Sequence, residues 1–189
     1  MAGPIPHCLG MNTLRNFYLL RAGAAFIWVA LAILLASAPV PVVGLLLVLY
    51  PTWDAFANVI DARRSGGLQI NPGQKYNALA SAVTAACMAV AFALHGNAGG
   101  VLVFGAWAFL AGLFQLAVGI RRRKLGGQLF MIVSGAQSAL AGVFFIMKSF
   151  GEAPTIAQLA PYAAFGGSYF LLSALWLTFK RNRVDAAAA

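Results

Sequence analysis

The chain of 189 residues is 61% hydrophobic and only 9% charged, whereas a soluble globular domain is about 45–50% apolar and about 25% charged. This composition excludes an ordinary water-soluble domain. Thirteen Lys and Arg against four Asp and Glu give a net charge of +9, which in a soluble chain would suggest a nucleic-acid partner. Here the basic residues separate hydrophobic blocks, so we expect a lipid bilayer and not a nucleic acid as the partner.

Six stretches of the chain are long and apolar enough to cross a bilayer. A helix rises about 1.5 Å per residue and the hydrocarbon core is about 30 Å thick, so each crossing takes about 20 residues. The apolar runs are continuous and do not alternate, which favours helices over barrel strands. The predicted fold is all-α, a single six-helix transmembrane domain over residues 16–183, with a leader at 1–15 and a tail at 184–189. The predicted spans are Phe17–Ala36, Pro41–Ile60, Asn77–His95, Val101–Ile120, Gln128–Met147 and Ala160–Phe179.

The basic residues predict the orientation, because loops rich in Lys and Arg stay in the cytoplasm during insertion. Twelve of the thirteen lie at the start of the first span or after the second, fourth and sixth spans. The loops on the other side are 37–40, 96–100 and 148–159. Both termini are therefore predicted to be cytoplasmic, with the basic clusters in contact with anionic lipid headgroups. Association of several copies into a homo-oligomer is left open.

The first span also allows a second interpretation, as a secretory signal peptide cleaved after Ala38. Pro39 follows that site directly and would hinder the extended backbone that a signal peptidase binds, and another span comes at once. We therefore expect the first span to remain as a membrane helix. The sequence leaves open whether translation starts at Met1 or at Met11.

Basic clusters recur after every second span, which indicates a repeated helical hairpin. Residues Ile60–Gly67 align without a gap with Ile120–Gly127, sixty residues later. Because each unit contains two crossings, the copies run in the same direction, unlike the inverted repeats of many secondary transporters. The three predicted hairpins cover about residues 17–60, 77–120 and 128–179.

Small residues four positions apart mark the expected helix contacts. Lipid gives helices no hydrophobic reason to associate, so close approach depends on Gly, Ala and Ser. Together these residues predict a compact bundle. The pairs are Ala82 with Ala86, Ala108 with Gly112, Gly135 with Ala139, and Ser138 with Gly142.

The run Ala106–Arg121, followed after a basic turn by Leu129–Gly142, resembles the hairpin repeat of the HdeD family of bacterial inner-membrane proteins. The similarity covers about residues 17–183 and depends on the placement of glycines and small residues within apolar helices. It implies a six-span inner-membrane protein of unknown molecular activity, associated in some members with acid resistance. The first hairpin departs from the pattern, with Thr52 where the second has Gly112.

Asp54 is the leading candidate for a functional residue. It lies about 14 Å of helix inside the Arg63–Arg64 boundary, and a charge at membrane depth costs about 2.5–3.5 kcal/mol or more, so it needs a partner, a proton or water. An ion pair with Arg21 is the favoured interpretation. The alternatives are a polar pocket or proton-accessible cavity lined by Tyr50, Asp54 and Asn58, and a shallow Asp54 exposed to water.

Other polar side chains within the spans are expected to serve packing. Gln115 and Gln137 are predicted to hydrogen-bond across helices. The hydroxyl groups in the spans are expected to bond their own helix backbone; they belong to Ser81, Thr84, Ser134 and Ser138.

The sequence shows no catalytic, cofactor or metal motif: it has no Walker loop, zinc-ligand spacing, paired carboxylates or Ser-His-Asp arrangement. We therefore expect a non-enzymatic membrane protein, for which the resemblance implies a role in acid or stress tolerance or in membrane organisation. The alternative is a small transporter or channel with a polar site around Asp54.

Overall fold

The computed structural model describes residues 6–121 and 129–187, and every regular element in these ranges is an α-helix. All five helices are long and apolar enough to cross a membrane. The all-α prediction is therefore confirmed for the part of the chain described. The helices are α1 (Pro6–Leu34), α2 (Val40–Arg64), α3 (Pro72–Arg121), α4 (Leu129–Ser149) and α5 (Ile156–Ala187).

Three sequence predictions lie wholly or partly outside the described residues. They concern the first five residues of the leader, the basic turn at 122–128 with its copy of the repeated motif, and the end of the tail. Helix α1 begins at Pro6, so the described part of the leader is helical.

The sequence predicts two spans, Asn77–His95 and Val101–Ile120, where the structure has α3, a continuous run of helical residues that consists of two helices joined at a kink at Gly96. Its 50 residues would measure about 75 Å as a straight helix, more than twice the thickness of the hydrocarbon core. The backbone leaves the helical conformation at Gly96, where φ is 60° and ψ is −143°. A positive φ of this kind favours glycine. α3 thus contains both predicted spans and the loop between them, and the prediction of six membrane-spanning helices stays a prediction.

The two segments of α3 on either side of Gly96 run in opposite directions along α2. Residues nearer the C-terminus of α2 contact residues nearer the start of α3 in its first segment. In the second segment they contact residues nearer the end of α3. The neighbouring pairs are Gly44 with Phe92, Asp54 with Ser81 and Asp61 with Gln74 in the first segment, and Leu47 with Gly100 and Tyr50 with Trp107 in the second.

The turn between α2 and α3 is closed by two glycines and an asparagine. Gly66 and Gly67 have φ values of 98° and 104°, which side chains with a Cβ atom rarely adopt. The Nδ2 of Asn71 donates to the carbonyl oxygens of Ser65 at 2.9 Å and Gly67 at 2.8 Å. This turn sets the register between α2 and the first segment of α3.

The chain forms two compact units. Unit 1 combines Met1–Leu31 with Ala160–Ala189, and unit 2 is Ala32–Leu159. Unit 2 contains α2, both segments of α3, and α4.

Within unit 1, α1 packs antiparallel to α5. The ring of Tyr18 stacks on that of Phe170, with centroids 6.1 Å apart. One helical turn or more further along α1, a Cβ atom on Gly167 would lie 3.1 Å from the Cβ of Ala25. The sequence positions thus rise along α1 as they fall along α5.

Large apolar side chains on every helix face outward. A soluble protein rarely exposes contiguous apolar patches larger than a few hundred Å², so this surface is compatible with a lipid-bilayer environment. Examples, one from each helix, are Leu34 (78% exposed), Leu45 (59%), Leu94 (71%), Leu140 (71%) and Phe179 (66%).

Glycines hold the second segment of α3 against α4 along what we call the glycine seam, formed by Gly105, Gly112, Gly135 and Gly142. A Cβ atom on Gly112 would overlap the backbone nitrogen of Ala139, and one on Gly135 would lie 2.6 Å from the backbone nitrogen of Leu116. The two backbones are therefore in direct contact. Three of the four predicted small-residue pairs, those that include Gly112, Gly135 and Gly142, lie in this seam and are confirmed.

The fourth predicted pair is wrong, because Ala82 and Ala86 are both exposed. The spacing of small residues does not identify the packed face in an alanine-rich helix, since alanines occupy every face. The buried face of the first segment of α3 instead carries Ala78, Ser81, Ala85 and Met88.

We expect Gly112→Ala to destabilise the protein by about 1–3 kcal/mol, the usual cost of overpacking, because the added methyl group meets backbone atoms that cannot move aside. Gly23→Ala is the matched control, since a Cβ atom there meets nothing within 4 Å and alanine favours a helix by about 0.5–1 kcal/mol over glycine. Thermal unfolding of the purified proteins in one detergent measures both. Equal stability of the two variants would refute the seam.

Candidate functional site

A polar cluster around Asp54 joins α2 to the first segment of α3. The Oδ2 of Asp54 accepts hydrogen bonds from the Oγ of Ser81 at 2.8 Å and from the Nδ2 of Asn58 at 3.1 Å. The same Nδ2 donates to the main-chain oxygen of Asp54 at 2.8 Å. Ser81 and Asn58 are buried, whereas Asp54 is half-buried. These three residues are the Asp54 cluster.

The hairpin register explains why these three side chains meet. Asn58 lies four residues after Asp54, so both occupy one face of α2. Nearer the turn, the Nε2 of Gln74 donates to the Oδ2 of Asp61 at 3.1 Å. Asp54 lies seven residues further from the turn than Asp61, and Ser81 lies seven residues further than Gln74. Seven residues are about two helical turns, so the faces that meet at Asp61 and Gln74 meet again at Asp54 and Ser81.

Two neutral donors give the Oδ2 of Asp54 hydrogen-bond partners within the protein. Hydrogen bonds to a charged group contribute about 1.5–3 kcal/mol, which offsets much of the cost of about 2.5–3.5 kcal/mol for a charge at membrane depth. The cluster can therefore hold a carboxylate within an apolar helix.

Tyr50, which the sequence groups with Asp54, packs among aromatic rings. Its ring centroid lies 5.9 Å from that of Phe104 and 5.8 Å from that of Trp107, with an edge-on angle of 84° to the tryptophan. Phe104 is fully buried and also contacts Phe145, with centroids 5.6 Å apart. Tyr50 thus contacts the second segment of α3, whereas Asp54 contacts the first.

Arg21, the favoured partner of Asp54 in the sequence interpretation, lies in unit 1. Its guanidinium carbon is 4.1 Å from the centroid of the Phe170 ring and 5.9 Å from that of Phe17. A cation over an aromatic ring is stabilised by about 0.5–2 kcal/mol. Asp54 belongs to unit 2, and the ion pair between Arg21 and Asp54 stays a prediction.

The two glutamines of the sequence interpretation lie on neighbouring helices of unit 2. The Nε2 of Gln115 on α3 donates to the Oγ of Ser134 on α4, so the predicted hydrogen bond across helices is confirmed for Gln115. Gln137 is half-buried on α4, and its bond across helices stays a prediction.

The expectation that hydroxyl groups bond their own helix is wrong for Ser81, and Ser138 also donates to a neighbouring helix. Ser81 donates to Asp54, and Ser138 donates at 2.9 Å to the main-chain oxygen of Ala108. On α5, Ser173 does bond its own helix, donating to the main-chain oxygen of Tyr169 at 2.8 Å. One feature of the sequence could have predicted the contact between Ser81 and Asp54: the two residues lie equally far from the turn between α2 and α3.

Comparisons of the chain with protein-family models, with curated proteins and with solved structures found no match. Among the described residues, no group of three or more His, Cys, Asp and Glu side chains could hold a metal ion. The candidate site is therefore defined by its geometry alone, as a hydrogen-bonded carboxylate between two helices.

We expect the effects of Asp54→Ala and Ser81→Ala on stability to be non-additive, because each removes the same hydrogen bond. Side-chain hydrogen bonds between membrane helices contribute about 0.6–1.7 kcal/mol, which is the coupling energy expected in a double-mutant cycle. Unfolding of the four proteins in bicelles by a denaturing detergent measures it. Ser173→Ala is the matched control, and its effect should add to that of Asp54→Ala. Additive losses for Ser81→Ala as well would show that the cluster is not a unit.

Proposed function

We propose that the chain is a non-enzymatic, multi-pass protein of the bacterial inner membrane that acts as a closed helical bundle in acid or stress tolerance or in membrane organisation. The observation that carries this proposal is the pairing of polar side chains between helices of unit 2, where Asp54 bonds Ser81 and Gln115 bonds Ser134. A solute pathway needs such groups to face water, whereas a structural bundle needs them to face one another.

The glycine seam supports the part of this proposal that comes from the HdeD resemblance. The resembling stretches, Ala106–Arg121 and Leu129–Gly142, contribute three of the four glycines of the seam. Backbone contact at Gly112 and Gly135 is a physical reason for glycines to recur at these places in apolar helices. A tightly packed hairpin is accordingly the proposed repeating unit.

We further propose that α3 crosses the membrane twice, which makes six crossings in three hairpins. Its length, its break at Gly96 and the opposite directions of its segments support two crossings. The connection between α4 and α5 also lies beside this break, since the Nδ2 of Asn97 donates to the main-chain oxygen of Pro154 at 2.6 Å. Two of the loops predicted to share the outer side are thus neighbours.

The charge distribution supports a cytoplasmic position for the opposite end of unit 2. Arg63, Arg64 and Lys75 flank the turn between α2 and α3, where the rule of basic cytoplasmic loops applies. With six crossings, both termini share that side. The basic residues there are proposed to contact anionic lipid headgroups.

Labelling of single cysteines tests this topology in a chain without Cys8 and Cys87. We expect Ala98→Cys and Glu152→Cys to react with an impermeant maleimide from outside intact cells, and Ser65→Cys to react only after the inner membrane is opened. In the proposed topology, the chain crosses the membrane once between residues 65 and 98 and twice between residues 98 and 152. Reaction of Ser65→Cys and Ala98→Cys from the same side would refute the six-crossing arrangement.

A small transporter or channel at the Asp54 cluster is the second candidate function. It is favoured by the half-buried state of Asp54, which leaves part of its carboxyl-bearing side chain at the surface of unit 2. A carboxylate at membrane depth is also the group that proton-coupled transport uses.

The proposed stress role predicts that deletion of the gene from its source bacterium lowers survival of acid shock. Wild-type protein and Asp54→Asn should both restore survival, because a bundle needs the hydrogen bonds of residue 54 and not its charge. Gly112→Leu should fail, because it forces α3 away from α4. Equal survival of the deletion strain and its parent would remove the stress role.

A flux measurement in liposomes decides between the two candidates. A closed bundle is expected to leave proton and small-solute leakage at the level of protein-free liposomes. Flux that appears with the wild-type protein and disappears with Asp54→Asn would replace the closed bundle by a transporter.

A further inference from the structure

The end of unit 2 that holds the turn between α2 and α3 is basic. Arg63, Arg64 and Lys75 flank this turn, and all three are exposed. The acidic residue among them, Asp61, is half-buried, and its Oδ2 accepts from the Nε2 of Gln74 at 3.1 Å. Between residues 55 and 151 the sequence contains no other Asp or Glu. Three cations thus stand against one carboxylate, which favours an anionic partner.

Two large apolar side chains are exposed at the same end of unit 2. Ile70, in the turn, is 68% exposed, and Tyr76, next to Lys75 on α3, is 65% exposed. The Cδ1 of Ile70 occupies the space that a Cβ atom on Gly66 would take, so the glycine fixes where this side chain lies. Tyrosine is enriched where a membrane meets water, because its ring is apolar and its hydroxyl is polar. Cations and apolar side chains exposed together favour a membrane surface over a soluble acidic partner.

The length of α2 places these groups at the level of the lipid headgroups. Its 25 residues measure about 38 Å, somewhat more than the hydrocarbon core of about 30 Å. A helix of this length that crosses the core has its two ends in the headgroup layers. Arg63 and Arg64 are the last two residues of α2. Lys75 lies within one helical turn of their level, because its neighbour Gln74 bonds Asp61.

The directions of the cations distinguish a layer of headgroups from one soluble anion. The bond between Asp61 and Gln74 shows that Asp61 faces α3. Consecutive residues of a helix point about 100° apart, so Arg63 points about 200° away from Asp61, to the side of α2 remote from α3. Lys75 lies on α3, so a single small anion does not meet both cations. Headgroups surround a hairpin on all its lipid-facing sides and meet cations that point in different directions.

We propose that the turn between α2 and α3 is an anchor for anionic phospholipids, in which Arg63, Arg64 and Lys75 contact the phosphate groups of separate lipids and Ile70 and Tyr76 contact the acyl chains beneath. This inference rests on the headgroup contact proposed above and extends it to the class of lipid and to the apolar side chains that take part. A Lys or Arg near the membrane surface gives about a fivefold preference for an anionic over a zwitterionic lipid.

A fluorescent label on Gln69→Cys, in the full chain without Cys8 and Cys87, tests the proposal, because residue 69 is exposed and lies beside Ile70. The protein is placed in phosphatidylcholine liposomes in which a small fraction of one lipid carries bromine on its acyl chains, and bromine quenches a label that it contacts. We expect brominated phosphatidylglycerol to quench at about one fifth of the fraction that brominated phosphatidylcholine requires. In 1 M salt, where the Debye length is about 3 Å, the two lipids should quench alike.

Variants assign the effect to the turn. Arg63→Gln, Arg64→Gln and Lys75→Gln together should remove the preference for phosphatidylglycerol. The matched control Arg63→Lys, Arg64→Lys and Lys75→Arg keeps the charges and should retain it. Ile70→Ser should weaken quenching by both lipids, whereas Leu79→Ser, at a position of α3 that is also exposed, should not.

Equal quenching by the two lipids at low salt, with residues 63, 64 and 75 unchanged, would overturn the anchor, as would a preference that survives the three glutamines. A label that neither brominated lipid quenches would overturn it too, because the turn would then lie in water. Loss of the preference on addition of glycerol phosphate at constant ionic strength would replace the anchor by a pocket for one anion. Both leaflets contain the same lipids, so these outcomes do not depend on the orientation of the chain, which the cysteine labelling decides.

Discussion

Direct backbone contact between α3 and α4 is the interaction on which unit 2 depends most. Helices surrounded by lipid gain no hydrophobic free energy by meeting, so they associate only where their surfaces fit closely enough for van der Waals contacts and hydrogen bonds. At Gly112 and Gly135 the fit is so close that a single methyl group would not be accommodated. With the backbones this near, the Oγ of Ser138 reaches the main-chain oxygen of Ala108. Packing and hydrogen bonding therefore reinforce each other in the seam.

Polar side chains repeat this principle between the other helices of unit 2. Apolar surroundings offer no solvent hydrogen bonds, so a carboxylate or amide within an apolar helix requires a partner from the protein. The partner of Asp54 is Ser81, on the helix that the turn at Gly66 and Gly67 brings alongside. In Asn97 only the Nδ2 of the carboxamide has such a partner, the main-chain oxygen of Pro154, whereas the Oδ1 has none among the described residues.

Much of the helical organisation could be read from the sequence, because it depends on local composition. Continuous apolar runs predicted helices, and the glycine-rich stretch at 96–100 predicted the interruption of α3. The small-residue pairs at Gly112, Gly135 and Gly142 predicted the seam. The pair at Ala82 and Ala86 was wrong because the spacing alone does not say which face of an alanine-rich helix is buried.

The sequence by itself determined which segments are apolar helices, where basic residues interrupt them, and that Asp54 requires a partner. Only the tertiary structure decided that this partner includes Ser81, that Tyr50 packs against Phe104 and Trp107, and that Asn97 bonds the main-chain oxygen of Pro154. Helix formation depends on neighbours within one or two turns of the chain. The rotation of each helix about its own axis, which selects the side chains that meet, depends instead on packing between segments far apart in sequence.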